Sequence, residues 1–397
     1  MTTRLLPADP GSGPGLKEAV RDVVPVIRKY GIEAEEGGRV PRETLRLLDN
    51  AGAFRMSVPE RFGGLGLSVA EQAEVVREIA RGCPSTGWNM TVWLTGALMA
   101  GLYPDEVQKE VFAGGSVRVS IGFAPTGRLT PVEGGYRLTG RWNYNSGCHA
   151  ADWDCVAAML EHPDGTEEEF FVLVPLRDLT IVDDWDVSAG RGTGSATTVA
   201  EDVFVPARRL ATYEGITLGT TGDRWNEKEA GRGYGVVAFI MSMYAAMALG
   251  TATGAYELFL ERVPGRGITY TNWEEQRDHP LIQQRVATAA NKIEAGSALL
   301  EQVLALLQRR ADAPEQPTTE EKAVVRGRTA FAATLAKEAV ELLHSTSGAS
   351  VIKRDVPFQR YHRDILGFSL HALAQIHTNL EVQGRVLLGL DPGTDIL

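Results

Sequence analysis

A block of short strand-like runs, set between two helical blocks, constrains the fold of this chain more than any other feature. From about residue 115 the sequence changes to short runs of β-branched and aromatic residues, separated at close intervals by Pro, Gly and Asp. This pattern is typical of a small antiparallel barrel or sandwich. The predicted strands are 117–121, 136–144, 153–160, 169–175, 179–187 and 197–205.

The block before the strands has helical signals from about residue 15 to residue 114. Ser68 and Glu71 have the spacing of a capping box, which predicts a helix running from there towards Arg81. A helical domain is therefore expected at the start of the chain.

The helical period returns after about residue 232. Pro280 stands at the first-turn position of one long helix, and Thr318 with Glu321 forms the capping box of the next. A last helix is predicted at about 363–388. Four long helices with short connections predict an antiparallel bundle. The expected fold is α+β, mainly α, with a helical domain at 1–115, a β-barrel domain at 116–210 and a four-helix bundle at 211–397.

Charge and cysteine content narrow the possible partners and the compartment. The net charge of −11 over 397 residues argues against a nucleic-acid or anionic-membrane surface, because both require a basic face. The three cysteines lack C-x-x-C spacing, which indicates a reduced, cytoplasmic protein without structural zinc. Residues 1–15 read as a mobile lead-in rather than a signal peptide. The uncharged run at 235–255 is long enough to span a bilayer, but its many small residues favour a helix buried in the bundle.

The predicted strand that begins after the Gly134-Gly135 turn ends in a cluster of aromatic and polar residues. Asn143, Tyr144 and Ser146 lie at its end, and Gly147 stops it. A strand end of this kind offers a planar ligand an aromatic wall, a hydroxyl and close backbone approach. We interpret it as the place where an isoalloxazine ring binds.

Several motifs in order resemble the acyl-CoA dehydrogenases. They are LTGRWNYNSGCHAADWDCVAA, similar to the strand that faces the flavin in that superfamily, AEDVFVPARRL, similar to the strand that leaves the barrel, and HSTSGASVIKRDVPFQRYHRD, similar to the Gly-containing segment and Arg-Asp pair before the last helix. The resemblance covers about residues 17–390 and implies the same order of domains. It also implies a homotetramer, because an Ala-rich bundle face would otherwise be left in water.

The departures from that pattern indicate a different reaction. A dehydrogenase needs a carboxylate to remove the α-proton of a thioester. The superfamily carries it either just beyond the Arg-Asp pair or on the first long bundle helix. Beyond that pair this chain reads ILGFSLHALAQ, without an acid, and 235–255 has none either. The motifs WNYNSG and Gly192-Thr193-Gly194-Ser195, with a His inside the last helix, instead resemble the group D two-component flavin monooxygenases.

This resemblance implies roles for individual residues. Ser146 would hydrogen-bond the flavin near N5, Tyr144 would pack against the ring, and His371 would lie in the substrate cavity as the base that takes a phenolic proton. Competing histidines are His149, His344, His362 and His377. Further cofactor contacts are expected from Asn143, Thr193, Ser195, Arg266 and Gly348, and further substrate contacts from Trp88 and Phe123.

The implied enzyme is the oxygenase component of a two-component flavin monooxygenase. It would take reduced FMN or FAD from a separate NAD(P)H:flavin reductase, form a C4a-hydroperoxyflavin with O2, and hydroxylate a phenolic or polycyclic aromatic compound. N-hydroxylation of an amine or a nucleotide-linked amino sugar is the main alternative, for which Arg191, Arg208 and Arg209 would have to lie at the cavity mouth. An acyl-CoA dehydrogenase and a non-catalytic flavin-binding protein are weaker alternatives.

Overall fold

The computed structural model describes residues 13–218, 234–313, 317–394 and 396–397, so the predicted mobile lead-in lies almost wholly outside the described residues. Five helices form the N-terminal block, and the predicted capping box at Ser68 is confirmed. Its side chain accepts a hydrogen bond from Glu71 N at 3.3 Å, and the Glu71 carboxylate accepts one from Ser68 N at 2.9 Å. The helices are α1 Gly13–Gly37, α2 Arg42–Ala51, α3 Val69–Gly82, α4 Pro84–Ala100 and α5 Asp105–Val111.

Among the described residues, seven strands form one sheet in the order β5-β6-β2-β1-β3-β4-β7. Their bounds are β1 Val119–Val132, β2 Gly135–Trp142, β3 Trp153–Glu161, β4 Glu167–Pro175, β5 Thr180–Val182, β6 Thr197–Pro206 and β7 Leu210–Thr212.

The prediction of a purely antiparallel sheet is wrong at its centre, where β1 and β3 are parallel from the Val119/Trp153 pair onward. β2 folds back on β1 through the turn at Gly134 and pairs with residues 128–132, and the loop after β2 returns the chain to the start of β1, where Trp153 pairs with Val119. The next strand begins there on the other side of β1 and consequently runs in the same direction as β1.

The strand predicted at 179–187 is also too long, since it is regular only from Thr180 to Val182. The chain leaves the ladder at Asp184, whose carboxylate accepts hydrogen bonds from both the backbone N–H and the hydroxyl of Thr197, at 3.0 and 2.7 Å. The Asp184 carboxylate thus accepts the Thr197 N–H in place of the backbone carbonyl that a longer strand would offer.

Trp142 fills the centre of the sheet core. Its indole is fully buried and donates from Nε1 to the carbonyl oxygen of Ala157 at 2.8 Å. Gly122, Gly127 and Gly140 make room for it, because a Cβ on any of them would lie between 2.6 and 2.9 Å from the indole. The glycines in these strands are therefore required by packing.

The C-terminal block is a bundle whose central helix is α7. Among the described residues α7 alone is long and apolar enough to cross a membrane, and 89% of its most apolar window is buried inside the protein. The expected buried bundle helix is thus confirmed, as are Pro280 in the first turn of α8 and the capping box of Thr318 with Glu321. The helices are α6 Tyr213–Leu218, α7 Val236–Arg262, α8 Pro280–Asp312, α9 Thr319–His344, α10 Phe358–Phe368 and α11 Ile376–Leu387.

The single last helix predicted at 363–388 is wrong, because α10 ends at Phe368 and α11 begins at Ile376. Side chains in the gap bond the backbone groups that a continuous helix would pair. His371 Nδ1 accepts from Leu373 N at 3.3 Å, and Gln375 Nε2 donates to Leu370 O at 3.1 Å. His371 consequently lies in a break between two helices rather than inside one.

Candidate active site

The loop that follows β2 is held against the segment before β6 by backbone hydrogen bonds. Asn145 N donates to Ala196 O, and Gly147 N donates to Thr193 O, each at 3.1 Å. Gly147 has φ 73°, and a Cβ there would lie 2.5 Å from Trp93 Nε1. The glycine that stops the predicted strand thus permits a left-handed turn against α4.

A buried aspartate fixes the middle of this loop. Asp154 accepts hydrogen bonds from Asn145 Nδ2 at 2.6 Å and from the hydroxyls of Thr198 and Ser120 at 3.0 Å. Burial raises the pKa of Asp154 to about 6, against the lowering effect of these donors. Sequence reasoning missed this residue, although an Asp among apolar residues in WDCVAA was a signal that could have found it.

Three buried hydroxyls form a continuous chain beside the loop, here called the hydroxyl chain: Ser146, Ser195 and Thr193. Ser146 Oγ lies 2.7 Å from Ser195 Oγ, which lies 2.7 Å from Thr193 Oγ1. Thr193 donates to the carbonyl oxygen of Gly190 at 2.7 Å. At the other end, Trp88 Nε1 donates to Ser146 Oγ at 2.9 Å. Three residues predicted to bind cofactor therefore form one array with Trp88, a residue predicted to bind substrate.

Helix α10 holds both ends of this array. Asp364 is buried and accepts from Gly190 N at 2.7 Å and from Ser85 Oγ at 3.0 Å, while burial raises its pKa. Phe368, one turn later, stacks on Trp88 with ring centroids 4.6 Å apart. A Cβ on Gly190 would lie 2.8 Å from the Phe368 ring, so this position of the loop has to be glycine. The contact of Phe368 with Trp88 was not anticipated from the sequence.

A small cavity of about 50 Å³ adjoins Trp88 and brings together all three residues predicted to bind substrate, Trp88, Phe123 and His371. Phe123 is 42% exposed, so the cavity opens at that side, whereas Tyr244 is buried and burial raises its pKa. None of the described residues that line the cavity is a carboxylate or a Lys or Arg. The lining is Trp88, Thr91, Val92, Thr95, Ile121, Phe123, Ile240, Met241, Tyr244, His371, Leu373 and Ala374.

His371 is the one imidazole among the described residues of this lining. Its ring centroid lies 5.3 Å from that of Trp88, with the rings inclined by 65°. Part of the side chain is exposed in the single chain, but the protein packed around the rest of the ring lowers its pKa by burial. Because Nδ1 accepts the Leu373 N–H, the neutral ring carries its hydrogen on Nε2. In this arrangement His371 is a hydrogen-bond donor.

The two remaining residues at the strand end are both exposed and differ in their contacts. Tyr144 is 75% exposed, has φ 59°, and meets Trp185 edge to face at 5.8 Å. The side-chain amide of Asn143 lies 3.0 Å from Thr197 Oγ1. The Tyr144 ring is thus available to a ligand, while the Asn143 side chain supports β6.

Arg266 and Gly348 lie away from the strand end, between the end of α7 and the segment after α9. Arg266 donates to Ser350 Oγ at 2.8 Å, and Gly348, with φ 70°, precedes the short 3-10 helix that contains Ser350. Within this chain, both of these residues predicted to contact the cofactor therefore lie beside the end of α7 and not at the strand end.

The competing histidines lie outside the aromatic cavity. His149 Nε2 lies 3.8 Å from Asp183, and His377 is exposed at the start of α11. His344 and His362 stack at 3.7 Å and border a larger cavity of about 720 Å³, whose rim also contains charged residues. The smaller cavity is the candidate active site, because its aromatic, uncharged walls adjoin the hydroxyl chain.

The arginines needed for a nucleotide-linked substrate are engaged elsewhere. Arg208 and Arg209 both bind Glu110, at 2.6 and 2.7 Å, and Arg191 binds Asp186 at 2.8 Å. None of the three lines the aromatic cavity.

Comparison with known proteins identifies the family of this chain. Residues 16–116 match the family "Acyl-CoA dehydrogenase, N-terminal domain", and 242–376 match "Acyl-CoA dehydrogenase, C-terminal domain". The chain is 30% identical to the oxygenase component of the FADH(2)-dependent resorcinol hydroxylase of a Rhizobium species, over 94% of each chain. It is also 30% identical to the flavin-dependent monooxygenase oxygenase subunit HsaA of Mycobacterium tuberculosis, over 94% of this chain and 95% of the other.

A solved structure shows the same fold with a reduced flavin. XiaF from Streptomyces, in complex with FADH2 and glycerol, superposes with a TM-score of 0.90 at 29% identity, over 97% of this chain and 98% of the other. The predicted fold class and the predicted use of reduced flavin are confirmed. This chain belongs to the oxygenase components of flavin-dependent monooxygenases that have the acyl-CoA dehydrogenase fold.

Proposed function

We propose that this enzyme hydroxylates a phenol or another flat aromatic compound in the cavity formed by Trp88, Phe123 and His371. The observation that carries the proposal is the lining itself, which has aromatic walls, one imidazole and no charged carboxylate or arginine among its described residues. Aromatic rings favour stacked or edge-to-face contacts with such walls. The absence of Arg and Lys from this lining weighs against a nucleotide-linked amino sugar.

The strand end fits an uncharged planar ring. Ser146 still has one oxygen lone pair without a donor among the described residues, and Tyr144 exposes 75% of its surface nearby in the chain. We infer that Ser146 would meet N5 of the isoalloxazine and that Tyr144 would cover one face of the ring. A bound reduced flavin would supply the two electrons that activate O2, so that one oxygen atom goes to the substrate and the other leaves as water. Reduced FAD is the preferred form, because the names of two relatives specify FADH2.

His371 would hold, through its Nε2–H, the oxygen of a phenol that has released its proton to solvent. An ionised phenol is the more electron-rich form of the ring, so stabilising it favours attack on an electrophilic oxygen. Removal of the phenolic proton by the same ring would require His371 Nδ1 to give up the Leu373 N–H. The donor role therefore preserves the observed structure, and the general-base role predicted from the sequence does not.

Two variants separate the donor role from the base role. Glutamine can donate but is not a base, so H371Q should remain within a few-fold of the unaltered hydroxylation rate. H371A loses a hydrogen bond to a charged oxygen and should be about 10- to 100-fold slower. Equal losses in the two variants would show instead that the imidazole takes the proton. Burial lowers the pKa of His371, and the protonated ring would still carry its Nε2–H, so the donor role predicts that titration of this imidazole does not abolish hydroxylation, whereas the base role predicts a fall at acidic pH.

The reaction class is tested with purified enzyme, a flavin reductase, NADH and ¹⁸O2. We expect no NADH oxidation without the reductase, and incorporation of one ¹⁸O atom into a phenol when the reductase is present. A matched set of anilines and aliphatic amines serves as the comparison. Oxidation of amines but not of phenols would refute aromatic hydroxylation. Release of hydrogen peroxide with every compound tested would indicate a protein that binds flavin without catalysing hydroxylation.

We further propose a homotetramer in the cytoplasm, with the reductase as a separate protein. Large apolar side chains are exposed on two bundle helices of the single chain, namely Phe331 on α9 and Leu380 and Leu387 on α11. Burial of such a face between copies would remove it from water. Sedimentation velocity tests this assembly, and a monomer at micromolar concentration would contradict it. The three cysteines are free and buried, as suits a reducing compartment.

A further inference from the structure

At each end of the hydroxyl chain lies a group that can play only one role in a hydrogen bond, either donor or acceptor. Trp88 Nε1–H can only donate, and it points to Ser146 Oγ. The carbonyl oxygen of Gly190 can only accept, and Thr193 Oγ1 lies 2.7 Å from it. Ser146 and Ser195, between these ends, are buried at 7% and 5% exposure, so the chain is largely shielded from water.

Counting hydrogens gives the chain a single direction. Three oxygen–oxygen contacts of 2.7 Å run from Ser146 to Ser195, from Ser195 to Thr193, and from Thr193 to Gly190 O. Three hydroxyl hydrogens are available, and two oxygens at 2.7 Å repel each other unless a hydrogen lies between them. Because the carbonyl supplies no hydrogen, Thr193 must donate to it, Ser195 must donate to Thr193, and Ser146 must donate to Ser195.

Ser146 is consequently an acceptor towards any ligand. Its hydrogen is committed to Ser195, and one of its two lone pairs receives the Trp88 N–H. The second lone pair has no donor among the described residues. A ligand with an N–H at this point gains a hydrogen bond, whereas a ligand with a bare nitrogen lone pair faces an oxygen lone pair.

We propose that the one-way hydroxyl chain makes this site select reduced flavin over oxidised flavin. The inference rests on the proposed position of Ser146 beside N5. Reduced isoalloxazine carries a hydrogen on N5, and oxidised isoalloxazine carries only a lone pair there. The same chain would favour capture of the reduced flavin delivered by a reductase and release of the oxidised flavin at the end of the cycle. Ser195 and Thr193 act through Ser146 and are positioning residues.

Two substitutions should weaken the selection without touching Ser146. In S195A the Ser146 hydrogen loses its acceptor and becomes free to donate to N5 of oxidised flavin. In T193V, Ser195 loses its own acceptor and can turn to donate to Ser146, which frees the same hydrogen. T193S keeps a hydroxyl at the position and should retain the selection of the unaltered protein.

The measured quantity is the ratio of the dissociation constants for oxidised and reduced FAD. Fluorescence titration gives the first constant, and anaerobic ultrafiltration gives the second. We expect the ratio to exceed one in the unaltered protein and to fall by on the order of tenfold in S195A and T193V, the effect of one hydrogen bond. A tenfold change corresponds to about 30 mV in the two-electron potential of the bound flavin, which dye equilibration measures independently.

The outcomes separate this inference from the proposed function. A ratio that stays within twofold in both S195A and T193V would overturn the one-way chain, even in an active hydroxylase. Equal ratios in T193S and T193V would overturn it as well, because T193S keeps the hydroxyl that T193V removes, and the effect could then not come from that hydroxyl. Failure of the unaltered chain to bind any reduced flavin would refute the proposed function, and the inference with it.

Discussion

The buried carboxyl of Asp154 should make the free energy of unfolding depend on pH. Asp154 lies in the central strand β3, and burial raises its pKa from 3.8 to about 6 despite hydrogen bonds from Asn145, Thr198 and Ser120. Since the folded-state pKa exceeds the unfolded value, the folded state favours the protonated acid. The resulting stabilisation is fully present below pH 3.8 and is lost as the pH rises through about 6.

The magnitude follows from the size of that difference. A difference of about two in pKa, at 1.36 kcal/mol for each, corresponds to about 3 kcal/mol of stabilisation. Roughly two thirds of this stabilisation is lost between about pH 4.5 and pH 7.5. Asp154→Asn removes the ionisation and keeps the shape. The amide oxygen can accept from Asn145 and Thr198, while the amide nitrogen donates to Ser120, whose hydroxyl already has an alternative acceptor in Trp153 O at 3.3 Å.

Urea denaturation followed by circular dichroism at several pH values tests this reasoning. The stability of the unaltered protein relative to D154N should fall by about 2 kcal/mol between pH 4.5 and pH 7.5. Asp22→Asn, at an exposed position of α1, is the matched control and should show no such trend. A difference between unaltered protein and D154N that is flat across this range would refute a raised pKa at Asp154.

Two further predictions concern the cores of the sheet and the bundle. Trp142→Phe removes the 2.8 Å hydrogen bond to Ala157 and leaves empty space between three glycines. It should therefore lower the free energy of unfolding, measured by urea denaturation, by on the order of 2 kcal/mol. The control Trp273→Phe, at a partly exposed position, should change that free energy little. Burial raises the pKa of Cys148 to about 12 and also raises those of Cys83 and Cys155, so none of the three thiols should react with Ellman's reagent at pH 8 before unfolding. Prompt labelling of the native protein, with its circular dichroism unchanged, would contradict that burial.

Features determined by neighbouring residues could be predicted from the sequence. The capping boxes at Ser68 and Thr318 each join residues three apart, and the structure contains both. Gly52 ends α2 in the left-handed region at φ 89°, a conformation that glycine adopts without steric cost. Local chemistry of this kind does not depend on the rest of the fold, and for that reason it can be recognised in a single sequence.

Features determined by distant partners could not be predicted. The early end of β5 depends on Asp184 bonding Thr197, thirteen positions away. The break after α10 depends on side-chain bonds of His371 and Gln375, in a segment that contains no Gly or Pro to signal it. The hydroxyl chain joins residues 49 positions apart, so the sequence indicated its members but not their direction.

Helix α10 connects the two halves of the site through a single face. Asp364 and Phe368 are four residues apart and therefore lie on the same side of the helix. Asp364 holds the Gly190 loop, which ends the hydroxyl chain, and Phe368 stacks on Trp88, which begins the chain and also forms a wall of the aromatic cavity. The parts assigned to flavin and to substrate thus share one support. A shift of α10 would therefore disturb both parts at once, although the cavity is lined by residues from all three sequence blocks.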